Sequence, residues 1–225
     1  MLCFKYLHVI IITALILSIT ASSTAGSSLI MPALNLNHEQ VENFREHDLR
    51  IARIIDIVFP DASDEQKLSW RMLLLGTVAT ETNFLNMYSH RSQNGNGPYQ
   101  IIGDTAYGII HKYITYPLKG TNIIARRTTL IPLFEKATNG RITWVQLYDM
   151  SKDELIGLCV SDHDFAALIS LLVYKDAFER NNVNEISSNP SELASLWKKY
   201  YNTDLGLGTE KRFMERFIPL YYYIV

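Results

Sequence analysis

Leu73-Leu74-Leu75-Gly76-Thr77-Val78-Ala79-Thr80-Glu81 is an apolar run that ends on a single carboxylate. Upstream, Ser63 followed by Asp64-Glu65-Gln66 has the make-up of a helix start, with a hydroxyl cap and acids in the first turn. The run is therefore read as the second half of a helix. That helix holds Leu68, Trp70, Met72, Leu73, Leu75 and Gly76 and closes near Glu81. Downstream, residues 86–98 are rich in Ser, Asn and Gly and predict a long irregular loop with room for a small hairpin. Partial burial between an apolar helix and a polar loop raises a carboxyl pKa. A carboxyl that keeps its proton near neutral pH is what a general acid requires.

Working outward, the pattern stays helical. From Asn37, the residues Val41, Phe44, Leu49, Ile51, Ile54, Ile55 and Val58 recur mostly at three- and four-residue spacing until Pro60. A third helix is expected after Gly103 with Asp104 as its cap, and further helices at 121–137, 151–159, 162–181, 190–201 and 209–223. Gly206-Leu207-Gly208 separates the last two. No series of alternating strands and no internal repeat is visible. With 225 residues and 48% hydrophobic content, the chain can bury one sizeable core, and the fold class is mainly α.

The N-terminus reads differently. Met1–His8 carries one lysine and no acid, Val9–Ile19 is apolar but short for a bilayer, and small residues follow to Ala25. This is the pattern of a secretory signal over 1–25, with an uncleaved anchor as the alternative, and 26–36 reads as a linker. Removing 1–25 takes away Lys5 and no acid, so the net charge moves from −2 to −3. No basic excess remains to favour nucleic acid. Cys3 leaves with the signal, and Cys159 is then alone, best read as a buried thiol.

Glycosidases usually set two carboxylates across the scissile bond. After Glu81 there is no Asp or Glu until Asp104, which favours a single-carboxylate mechanism over a local pair. Glu81-Thr82-Asn83-Phe84 resembles the Glu-Ser-x-Phe motif of lytic transglycosylases. Gly97-Pro98-Tyr99-Gln100-Ile101 resembles that family's Gly-Leu-Met-Gln-Ile segment, with Thr105-Ala106 following as its Thr-Ala does. Tyr200-Tyr201-Asn202-Thr203 resembles its later Ala-Tyr-Asn-x motif. The tail, Trp197-Lys198-Lys199-Tyr200-Tyr201-Asn202-Thr203 and Gly206-Leu207-Gly208-Thr209, is most similar to phage-type members. Thr82 keeps the hydroxyl of the usual Ser, whereas Pro98 and Tyr99 depart from Leu and Met, and Pro98 removes an N–H.

The resemblance implies a lysozyme-like domain over 37–225 with the loop beside an active-site groove. It implies exported action, periplasmic or secreted, on the glycan strands of peptidoglycan. Glu81 would be the catalytic acid and then base, giving a 1,6-anhydro product. Thr82, Tyr99, Gln100, Tyr201 and Asn202 would bind substrate, with Tyr99 as an apolar wall and Tyr201 stacking on a sugar or holding Glu81. Asn202 would bond the backbone around the site. No metal or organic cofactor is required, and the membrane is met only through the N-terminus. Two other readings stay open: a non-catalytic wall-binding or structural protein, which Pro98-Tyr99 favours, and a lysozyme-type hydrolase with a base such as Asp104. Cys159 and His163, four residues apart, could share a helix face as nucleophile and base. Asp162-His163-Asp164 reads as a solvated helix start, and Arg126-Arg127 and Lys198-Lys199 as solvent faces able to meet anionic peptide stems.

Overall fold

Ser63 does cap the decisive helix. Its side chain accepts from the Gln66 N–H, and the Gln66 side chain returns a bond to the Ser63 N–H. This helix is α2, Asp64–Thr82, in a computed structural model that describes residues 36–85, 95–114, 132–203 and 206–224. The expected signal and linker, most of the 86–98 loop, and Arg126-Arg127 lie outside the described residues. So does the 121–131 part of an expected helix, while 132–137 is helical.

Before α2 comes α1, His38–Val58, capped by Asn37 in a reciprocal box with Gln40 and ending before Pro60. After it come α3 (Gly103–Ile114), α4 (Trp144–Asp149), α5 (Lys152–Ser161), α6 (His163–Arg180), α7 (Pro190–Trp197) and α8 (Glu210–Ile224). A single π-helical turn, Lys198–Asn202, continues directly from α7. The protein is mainly α-helical, and among the described residues there is no strand. One antiparallel bridge, Asn96 with Ile101, closes the small hairpin that the Gly/Asn-rich stretch led one to expect.

Residues 72–80 of α2 are buried without interruption, so the helix is enclosed on every side. It packs against α1, α6, α7 and α8. At Gly76 a Cβ would lie 2.2 Å from the Phe213 ring, so glycine is what lets α8 cross α2 this closely. The hydroxyls inside this core return to their own helix: Thr77 to the Leu73 carbonyl at 2.8 Å and Thr80 to Gly76 at 2.6 Å.

Some expected elements shift. Leu49 is exposed, because it lies two residues from both His47 and Ile51, which the buried face of α1 uses instead. Asp104 does not cap α3. The Ile102 carbonyl already accepts from Thr105 and Ala106, which places Asp104 inside the first turn, exposed and ion-paired with Lys152. Cys159 and His163 do not share a helix face. Asp162 ends α5 and caps α6, and the chain bends there by 113°. Asp162 and Asp164 are not simply solvated; both pair with Arg141, and Asp164 also with Arg50 and Arg53. No single described helix is long and apolar enough to cross a membrane.

Candidate active site

The last turn of α2 carries Glu81 to a half-buried position. Burial pushes its carboxyl above the usual carboxylate range. The Trp197 indole, the Arg212 charge, the Asn202 carboxamide and the Arg216 charge, in falling order, pull it back without cancelling the rise. The indole Nε1–H of Trp197 donates to Glu81 Oε1 at 3.1 Å. Arg216 spends one guanidinium N–H on the Ala79 carbonyl at 3.3 Å, at the C-terminal, electronegative end of α2.

Beyond Glu81 the backbone reverses sharply. Asn83 and Phe84 both adopt left-handed conformations, φ 53° and 62°. Such a pair is strained for non-glycine residues, most of all for a bulky one. Side chains of α1 hold it in place. Gln40 donates to the Asn83 carbonyl at 2.9 Å, and Asn43 to the Phe84 carbonyl at 2.7 Å. The Phe84 ring is fully buried, edge-on to Phe44.

Opposite this turn stands the 96–101 hairpin. Asn96 and Ile101 exchange two backbone bonds of 3.0 Å, and the Gln100 N–H closes the turn onto the Gly97 carbonyl at 3.1 Å. Pro98 occupies the second position of that turn, which proline suits, and its missing N–H leaves the turn's own hydrogen bond intact. Gly97 sits at φ 67°, and a Cβ there would lie 2.2 Å from the Cys159 carbonyl oxygen, so the hairpin rests directly on the end of α5.

The structure gives the sequence-derived site residues definite positions. Thr82 is buried, and its hydroxyl lies 3.2 Å from both the Val78 and Pro98 carbonyls, tying α2 to the hairpin. Tyr99 is fully buried and edge-on to His47; it presents no wall to a ligand. Its carbonyl instead accepts the Tyr201 hydroxyl at 2.8 Å. That hydroxyl also accepts from Ser170 at 3.3 Å, and the Tyr201 ring stacks on Tyr174 at 5.1 Å, so Tyr201 holds the hairpin rather than Glu81. The half-buried Gln100 turns its amide N–H back to the Gly97 carbonyl at 2.9 Å. Asn202 bonds side chains rather than backbone: its carboxamide acts on Glu81, while its oxygen receives Lys198 Nζ at 3.0 Å. Of the residues read from sequence, Asn202 is the one described residue that hydrogen-bonds Glu81, while the buried Tyr201 phenol feels its charge. Thr82, Tyr99 and Tyr201 form the frame that sets the hairpin beside it.

Sequence reading assigned no role to Trp197, Arg212 or Arg216. Arg212 and Arg216 are one turn apart on α8, flanking the core residues Phe213 and Phe217, and that spacing was the available signal. Cys159 is buried, its thiol pushed up to about 12, and burial with the neighbouring Arg50 charge holds His163 low. Together with the bend between them, this leaves Cys159 without an activated thiol. Trp70 is stacked on Phe59 and packed against Phe178 in a cavity of about 240 Å³ that does not include Glu81. Among the described residues no His, Cys, Asp or Glu cluster could hold a metal ion. Comparison of the chain with known protein families, with curated proteins and with solved structures finds no match.

Proposed function

We propose that this protein is a peptidoglycan lytic transglycosylase of lysozyme-like fold, exported by its N-terminal segment to the periplasm or beyond. The observation that carries the reading is Glu81: one half-buried carboxyl, its pKa raised by burial, with the Trp197 indole, the Asn202 carboxamide and two arginine charges acting on it among the described residues. A neutral carboxyl at the end of a rigid helix can protonate the oxygen between N-acetylmuramic acid and N-acetylglucosamine. The resulting carboxylate then takes the proton of the muramoyl 6-hydroxyl as that oxygen attacks its own anomeric carbon. The proton given up in the first step is regained in the second, no water is consumed, and a 1,6-anhydro end forms.

The next acid in the sequence supports one carboxylate in two roles. Asp104 is exposed and ion-paired with Lys152, and it does not figure among the groups acting on Glu81. The turn geometry gives Pro98 and Tyr99 a part in the hairpin's own fold. The test is incubation of the purified protein with peptidoglycan and mass spectrometry of the released sugars. Anhydro ends are expected from the parent protein, and Glu81→Gln should lower their rate by about 100-fold or more. Reducing ends would instead mean hydrolysis. Binding without cleavage would mean a wall-binding role, and undiminished cleavage by Glu81→Gln would remove Glu81 from the chemistry.

A further inference from the structure

The segment around Trp197 holds the indole rigidly in place. Trp197 is entirely buried, with its ring 5.6 Å from that of Phe213. Gly208 lies against it so closely that a Cβ would come 2.4 Å from the indole Cη2. Gly206 is equally close to Asn202, where a Cβ would come 2.3 Å from the backbone and side-chain oxygens. Lys198 Nζ ties the segment together, donating to the Thr203 carbonyl at 2.7 Å and the Gly206 carbonyl at 3.0 Å as well as to Asn202. A π-helical turn, a local irregularity often found at functional sites, connects Trp197 to Asn202. The indole therefore cannot swing away without rebuilding this segment.

Its one polar atom points at Glu81 Oε1, 3.1 Å away. An indole N–H donates and never accepts. Oε1 is then an acceptor whether the carboxyl is neutral or ionised, and because a carbonyl oxygen accepts better than a hydroxyl oxygen, the contact favours the proton of the neutral acid on Oε2. We propose that Trp197 is the positioning residue of Glu81: it fixes Oε1 as a permanent acceptor and so reserves Oε2 for the proton that moves. This rests on the reading of Glu81 as acid and base. In the first half-reaction the Oε2 proton passes to the glycosidic oxygen, which keeps the electron pair of the breaking bond to the anomeric carbon. In the second, Oε2 takes the 6-hydroxyl proton as the bond from that oxygen to the anomeric carbon forms. Among the described residues Trp197, Arg212, Asn202 and Arg216 favour the ionised form of Glu81, while the buried phenols of Tyr174 and Tyr201 also feel its charge.

The experiment pairs nuclear magnetic resonance with kinetics. Trp70, Trp144 and Trp197 supply three indole N–H signals. In the full-length protein the Trp197 signal should shift with pH at the same midpoint as the Glu81 carboxyl carbon, and Glu81→Gln should abolish that titration while keeping the signal. Trp197→Phe should lower kcat roughly 10- to 100-fold with KM little changed. It should also move the limb where activity falls with rising pH to higher pH, because a group that stabilises the carboxylate is gone. An indole signal that ignores Glu81, or a Trp197→Phe enzyme whose limb stays in place, would overturn the proposal, and the parent protein's spectra do not require Trp197→Phe to fold. If the indole titrates with Glu81 but the parent protein releases no anhydro sugar, the positioning contact stands and the transglycosylase reading falls. If anhydro sugar forms but the indole does not titrate, the reverse holds.

Discussion

At Glu81, stability and chemistry pull in opposite directions. Its folded pKa lies above its unfolded value, so its favourable contribution is complete only below the unfolded pKa, about pH 4, and is lost as pH rises through the folded one. At pH 7 the unfolded chain holds this carboxyl ionised, whereas burial in the fold disfavours that charge and Trp197, Arg212, Asn202 and Arg216 only partly offset the penalty. Glu81→Gln keeps the shape and an acceptor for Trp197 while removing that charge. The variant should therefore melt at a higher temperature than the parent at pH 7, and calorimetry across pH should show the gap closing toward pH 4. A variant less stable at pH 7 would mean the site is not under this tension. Glu81 was legible because it stands at the end of an apolar helix with no other acid nearby in sequence. Trp197 was not, because its contact with Glu81 spans 116 residues and no local pattern encodes such a pairing.

Among the elements, the caps were the most readable features. Ser63 with Gln66 and the Asn37 start were visible as residue types, and both close reciprocal boxes. Helix α4 was missed because six residues are too few to show a period; the Thr143-Gln146 box was its one signal. The hairpin was legible in kind, from Gly95, Gly97 and Pro98, but the direction of its side chains was not. Tyr99 was expected to face a ligand and instead points into the core, because the turn places it over His47. Gly97 tests the element most sharply. Alanine there meets both a left-handed φ of 67° and the Cys159 carbonyl at 2.2 Å. Gly97→Ala should destabilise the fold by more than about 1 kcal/mol in denaturant melts, with activity falling alongside. A neutral result would mean the hairpin does not rest on α5 as described.

The described helices of the unit Leu34–Val225 are arranged around one enclosed helix. Residues 72–80 of α2 are buried throughout, α1, α6, α7 and α8 pack against it, and its last turn presents the carboxyl. Tyr174 ties this core to the site, its hydroxyl 2.8 Å from Thr77 and its ring stacked on Tyr201. The mainly α class was legible from periodicity, and the central helix from its Ser63 start and its continuous apolar run. The crossing of α8 at Gly76, which brings Arg212 and Arg216 near Glu81, depends on tertiary packing that a lone glycine does not announce. Such a rigid helix end, with one carboxyl and, among the described residues, no second acid acting on it, suits an internal nucleophile rather than an activated water. Digestion of peptidoglycan in water enriched in oxygen-18 puts that directly to the test. Released muramoyl ends should be 1,6-anhydro and carry no label; ends that take up oxygen-18, or no cleavage at all, would contradict the account.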